Sequence, residues 1–212
     1  MTEPDVALTD YGLAIECALF TTVLFFRGNR KAPVRPWFTL FFASTAIAAL
    51  SGGTVHGFFL DADAAGHRIL WPTTLIAIGG AAMAAWSIGA RLWLSERGAR
   101  RFTTVALLEF LVYSITVLFF TQTFFAAMAN YLPAAVFLLI VLFALYCHMG
   151  TQELIFGVMG LALTFIAAVA QHREIALHPT YFNHNALYHT IQGVALFMIF
   201  RTAHWIIKQK YP

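Results

Sequence analysis

Runs of about twenty apolar residues, separated by short polar stretches, recur along this chain of 212 residues, and a helix of that length spans the roughly 30 Å hydrocarbon core of a bilayer. We place the runs at 8–27, 36–60, 68–94, 102–122, 124–147, 150–171 and 184–207. They predict an all-α integral membrane protein, a single seven-transmembrane-helix bundle filling residues 1–212 with no room for a soluble domain. Pro133, inside the fifth run, predicts a kink. No internal repeat, low-complexity stretch or inverted pair of broken helices interrupts the pattern.

The polar breaks are not equivalent. Arg27, Arg30, Lys31 and Arg35 follow the first run, Arg91, Arg97, Arg100 and Arg101 follow the third, and Arg201, Lys208 and Lys210 close the seventh. Only Arg68 and Arg173 lie elsewhere. Short loops rich in Lys and Arg stay in the cytoplasm, so the N-terminus, with Glu3, Asp5 and Asp10, is expected outside and the C-terminus in the cytoplasm. The first run follows acidic rather than basic residues and precedes no small-residue cleavage pattern, so it reads as a retained helix rather than a signal peptide. In a bacterium, apolar helices with short loops belong to the inner membrane, because outer-membrane spans are barrels.

Composition agrees with the pattern, at 60% hydrophobic and 11% charged residues with a mean hydropathy of +0.73. The net charge of +3 is accounted for by topology, and no basic patch interleaved with aromatics supports a nucleic-acid partner. Cys17 and Cys147 fall in opposite halves of the membrane, too far apart to form a disulfide.

Candidate chemistry lies where polarity intrudes on the runs. A charged side chain at the centre of a membrane helix costs about 2.5–3.5 kcal/mol on insertion scales, so it is a functional candidate by default. Glu16 lies several residues in from the outer side and Glu109 at similar depth from the inner side. Six of the eight histidines fall at the outer face, and only His148 and His204 at the inner one. His56 ends the second run within Ser51-Gly52-Gly53-Thr54-Val55-His56-Gly57, where the glycines let another helix approach closely. His67 opens the third run after the acidic loop of Asp61 and Asp63.

The stretch from His178 through Pro179 and Thr180 to Gln192 leads into the seventh run. Asn185 and His189, four apart, share a helix face, whereas His184 and His189 do not. His189 is thus the better inward ligand. His184 can join it from the helix N-terminus, with Asn183 or Asn185 as the cap. His172 and His178 read as loop residues. Three histidines from separate helices with one position left for water match the open coordination of catalytic zinc. The proposed metal set is therefore His56, His67, His184 and His189, with Asn185, Gln192 and Ser51 as hydrogen-bonding supports.

In layout, the chain resembles the superfamily that joins the alkaline ceramidases, the progestin and adipoQ receptors, the haemolysin III-like proteins and the glycosylphosphatidylinositol-remodelling hydrolases. Its pattern is Ser-x-x-x-His near the end of helix 2, an Asp at the start of helix 3 and His-x-x-x-His in helix 7, jointly binding zinc. His56 matches the helix 2 histidine and His189 the second histidine of helix 7. Gly52 stands at the serine, His67 about at the aspartate and Asn185 at the first helix 7 histidine.

The resemblance implies a zinc-dependent hydrolase cleaving an amide or ester bond of a membrane lipid at the outer face; our own reading of the residues adds Glu16, Asp61 or Asp63 as the proton relay. The same residues also serve a second reading, a receptor or sensor that binds a metal or a lipid without chemistry. An outer haem held by facing histidines is a weaker third. A proton path through Glu16 and Glu109 is weaker still, because the stretch between their levels is apolar.

Overall fold

The computed structural model describes residues 1–178 and 181–209; Pro179, Thr180 and Lys210 lie outside the described residues. Seven helices follow in order: α1 Pro4–Arg27, α2 Arg35–Phe58, α3 Ala65–Trp93, α4 Glu96–Phe119, α5 Phe124–Met149, α6 Gln152–His172 and α7 His184–Lys208. Each is long and apolar enough to cross a membrane. The chain is an integral multi-pass membrane protein built as an all-α seven-helix bundle.

Helix boundaries differ from the hydropathy runs mainly where polar residues begin a helix. Six residues of α4, beginning at Glu96, precede the apolar run, and Ser95 caps them by accepting from the Gly98 amide at 3.3 Å. Four residues of α1 precede its run, with Pro4 in the first turn, a position where its missing N–H costs nothing. Asn183 caps α7 by accepting from the amides of Asn185 and Ala186 at 2.9 and 3.0 Å. Its own amide donates to Asp5 of α1 at 3.0 Å. Asn183→Ala is expected to cost about 1 kcal/mol, measurable as a lowered unfolding midpoint in detergent.

Packing closes six helices into a ring in the order α1, α2, α3, α5, α6, α7 and back to α1. The remaining helix, α4, packs chiefly on the outside of α3. Lipid tails offer no hydrophobic drive for helices to associate, so close backbone approach at small residues does this work. A Cβ at Gly53 would stand 2.7 Å from the Asp10 Cβ, and one at Gly160 would stand 2.7 Å from the Ala195 carbonyl oxygen. The glycine-rich end of α2 is therefore a seat for α1, and Gly160 is a seat for α7.

The two halves of the ring are filled differently. Toward the basic, inner end, Phe20 stacks on Phe200 with centroids 4.1 Å apart, and Phe42 meets Phe20 edge-on at 5.4 Å. Phe38 and Phe41 are buried in the same cluster. Toward the end that carries the N-terminus, which the basic-residue bias makes the outer end, the ring does not fill.

Candidate functional site: an apolar cavity with a polar end

The unfilled space is a cavity of about 320 Å³, lined from all six ring helices and by no residue of α4. Its floor is apolar, formed by Leu13, Ala48, Ala49, Ile78, Ala81 and Leu196. Aromatic walls come from Trp71, Phe124, Tyr131 and Tyr188. Its polar groups are Asp10, His56, Asn185 and His189, with Gln171, Gln192, Thr45 and Thr74. Mostly apolar walls with a few convergent polar groups are the usual composition of a small-molecule site.

At its polar end, two buried side chains face each other. Asp10 on α1 is 5% exposed and His189 on α7 is 9% exposed, with Asp10 Oδ1 3.3 Å from His189 Nε2. The other ring nitrogen, Nδ1, lies 3.2 Å from Thr9 Oγ1. That hydroxyl has one proton, and it is directed to the helix carbonyls of Asp5 and Val6, each at 2.9 Å. Thr9 therefore accepts from His189 Nδ1–H, which leaves Nε2 turned toward Asp10. Two bare acceptors would repel at this separation, so one proton is held between Asp10 and His189. A pair with no net charge is also what burial favours.

A second carboxylate–imidazole contact closes the rim. Glu3 Oε2 stands 2.6 Å from His56 Nδ1. The chain before α1 is strapped across the end of α2, with the Thr2 amide donating to Gly57 O at 2.9 Å and the Glu3 amide to His56 O at 3.2 Å. Gly52 lies beside Asp10, where a Cβ would make an ordinary contact of 3.6 Å with Asp10 Oδ2. Gln171 of α6 donates to Asn185 Oδ1 at 3.0 Å, joining α6 to α7 at the same level.

Of the residues singled out from sequence, His56, His189, Asn185 and Gln192 line the cavity. Ser51 stands behind the wall and accepts from Thr74 Oγ1 at 2.9 Å. His67 does not line the cavity; its Nδ1 is 2.8 Å from the Phe59 carbonyl and its ring lies against Trp71. His184 occupies the first position of α7, also off the wall. Asp61 and Asp63 are exposed between α2 and α3, where Asp63 pairs with Arg68 at 3.2 Å. Glu16 is half-buried beside Gly193 of α7, outside the cavity. Glu109, on α4, keeps a buried Oε2 without a hydrogen-bond partner among the described residues.

A zinc ion needs three or four nitrogen, oxygen or sulfur ligands converging on one point. The four histidines expected to supply them are not brought together, and no group of three His, Cys, Asp or Glu among the described residues is arranged to hold a metal ion. Asp10 and Glu3, which sequence reading used only for topology, occupy the positions next to His189 and His56. The signal for Asp10 was present, as an ionisable residue inside the first apolar run.

Fold and cavity together define a seven-helix membrane protein with a mostly apolar pocket, polar at one end, in the half of the bundle that carries the N-terminus. Residues 6–207 match the family described as "Family of unknown function (DUF6962)", and the chain belongs to that family. No curated protein and no solved structure matches it.

Proposed function

We propose that the protein is a binding or sensing membrane protein that takes a small amphipathic molecule, a lipid or part of one, into the cavity between its six ring helices. The observation that carries this reading is the buried Asp10–His189 pair at the polar end of a cavity whose floor and walls are apolar and aromatic. A ligand with one polar end and an apolar body satisfies both. The inner phenylalanine cluster closes the space from below, so the ligand enters from the outer side or between helices. In a bacterium this is the outer face of the inner membrane.

Filling the cavity tests the reading. Ala49 is buried on the floor, and Ala49→Trp projects an indole into the ligand's space. Solvent extraction and mass spectrometry of purified wild type are expected to return an amphiphile in near-stoichiometric amount, and the Ala49→Trp protein is expected to return little. An empty wild type, or equal amounts from both, would contradict the reading.

A second reading is hydrolysis of a lipid amide or ester in the same cavity, and what supports it is the imidazole and carboxylate beside a lipid-like lining. No step of it is routed through zinc, because the four histidines that the sequence assigns to the metal do not converge among the described residues. Release of free fatty acid from an amide- or ester-linked lipid by wild type, abolished in His189→Ala, would reverse the order.

A further inference from the structure

The cavity brings a carboxylate and aromatic rings together in a space that no basic side chain enters. Asp10 Oδ1 faces His189 across 3.3 Å, while Oδ2 lies on the side of Gly52, itself a cavity residue. Oδ2 has no hydrogen-bond partner among the described residues, and it is not one of the buried atoms that water cannot touch. Asp10 therefore presents an open acceptor to the cavity it lines. Tyr188 lies beside the pair, with its ring centroid 5.2 Å from that of His189. Trp71, Phe124 and Tyr131 complete the aromatic lining.

Charge narrows the ligand. No Lys or Arg lines the cavity, and His56 faces the Glu3 carboxylate. An anionic head group would find no fixed counter-charge there, and the cost of burying an unpaired charge is large. A cation finds both a carboxylate and aromatic rings, the two kinds of group that attract it most in a desolvated site.

The proton held between Asp10 and His189 says which kind of cation fits. An ammonium group can take that proton's place, donating one N–H to the Asp10 carboxylate and another to His189 Nε2 while the displaced proton leaves to water. Pair and ligand together are then as neutral as the empty pair. A quaternary ammonium has no N–H to give and would leave Oδ1 and Nε2 facing each other as two bare acceptors.

Resting on the binding reading above, we propose that the ligand is a cationic amphiphile whose polar end is a primary ammonium, bound by Asp10 and His189 against the Tyr188 ring in exchange for their shared proton. Fatty-acid and phosphate anions are rejected, and a neutral alcohol of the same length fills the cavity but binds less tightly.

Three probes test this with the detergent-purified protein: decylammonium, decanol and decanoate. Each is titrated while the unfolding midpoint is followed, since a ligand that binds only the folded state raises it in proportion to its affinity. Decylammonium is expected to reach half-maximal effect at a concentration at least about tenfold lower than decanol, the low end of the range for a hydrogen bond to a charged group. That ratio is expected to fall to unity or below in Asp10→Asn, and comparison with wild type cancels any difference in partition into the micelle. Tyr188→Leu, which removes one ring and keeps the carboxylate, is expected to narrow the ratio roughly 2- to 5-fold and serves if Asp10→Asn does not fold. Calorimetry at about pH 8, where an alkylammonium stays charged as a Lys side chain does, is run in two buffers of different ionisation enthalpy. It is expected to show proton release when decylammonium binds wild type, and none with decanol or in Asp10→Asn. Decanoate is expected to give no shift. An equal or stronger response to decanol in wild type, or a ratio unchanged in both variants, overturns the ammonium site while leaving cavity binding in place. Decylammonium binding without proton release overturns the exchange, and a decanoate response equal to that of decylammonium overturns the charge selection. No response to either decylammonium or decanol overturns both this proposal and the binding reading.

Discussion

Asp10→Leu is expected to destabilise the protein by about 1–3 kcal/mol, the usual cost of leaving a buried polar group without its partner. The orphan is His189 Nε2, on a side chain that is 9% exposed, which loses the group 3.3 Å away. Asp10→Asn is expected to cost under half as much, because its amide N–H can donate to Nε2 while Thr9 still accepts from Nδ1–H. The difference between the two variants separates proton sharing from mere space filling. Unfolding in detergent gives the stabilities, and the extraction experiment gives the ligand content. Equal losses from both variants would mean that the hydrogen bond to His189 contributes little and that the proton is not held there.

The second large effect concerns helix approach rather than polarity. A Cβ at position 160 would stand 2.7 Å from the Ala195 carbonyl oxygen and 3.1 Å from the Ile199 amide nitrogen. Both are backbone atoms of α7, so relief requires the helix itself to move. Gly160→Ala is expected to cost about 1–3 kcal/mol, as overpacking does in a filled interior. Gly53→Ala is expected to fall in the same range, because its Cβ would meet Asp10 at 2.7 Å and push α1 away from α2. The control is Gly12, whose Cβ would meet nothing within 4 Å. Gly12→Ala is expected to be neutral, or to stabilise by up to about 1 kcal/mol through helix propensity alone. Three equal responses would show that the glycines are not contact points.

The seven helices were legible because a membrane span is a property of one segment: length and apolarity decide it without reference to neighbours. The polar first turns of α1 and α4 escaped a hydropathy reading for the same reason, since Ser95 and Pro4 define those starts by capping and backbone chemistry. Spacing found His189, Asn185 and Gln192, because residues three or four apart share a face and one of them was already suspected of pointing inward. What remained hidden was pairing between helices. Asp10 meets His189 only because Gly53 lets α1 settle against α2 at one rotation and depth. Glu3 meets His56 only because the first residues strap back over the end of α2. His67 occupies the expected level, but the Phe59 carbonyl takes its Nδ1, an interaction local to the α2–α3 turn that no periodicity contains.

The binding reading puts an amphiphile inside the six-helix ring, with its polar end at Asp10 and His189. The most direct test is photoaffinity labelling in lipid nanodiscs with a long-chain alcohol carrying a diazirine near the end of its chain, followed by mapping of the adducts. Adducts are expected on floor residues such as Ala48, Ala49, Ile78 and Leu196, suppressed by excess decanol and lost in Ala49→Trp. The internal reference is α4, which contributes nothing to the cavity and exposes Leu107, Leu111 and Val112. Labelling confined to such lipid-facing positions, insensitive to competitor and to Ala49→Trp, would mean that no amphiphile occupies the ring.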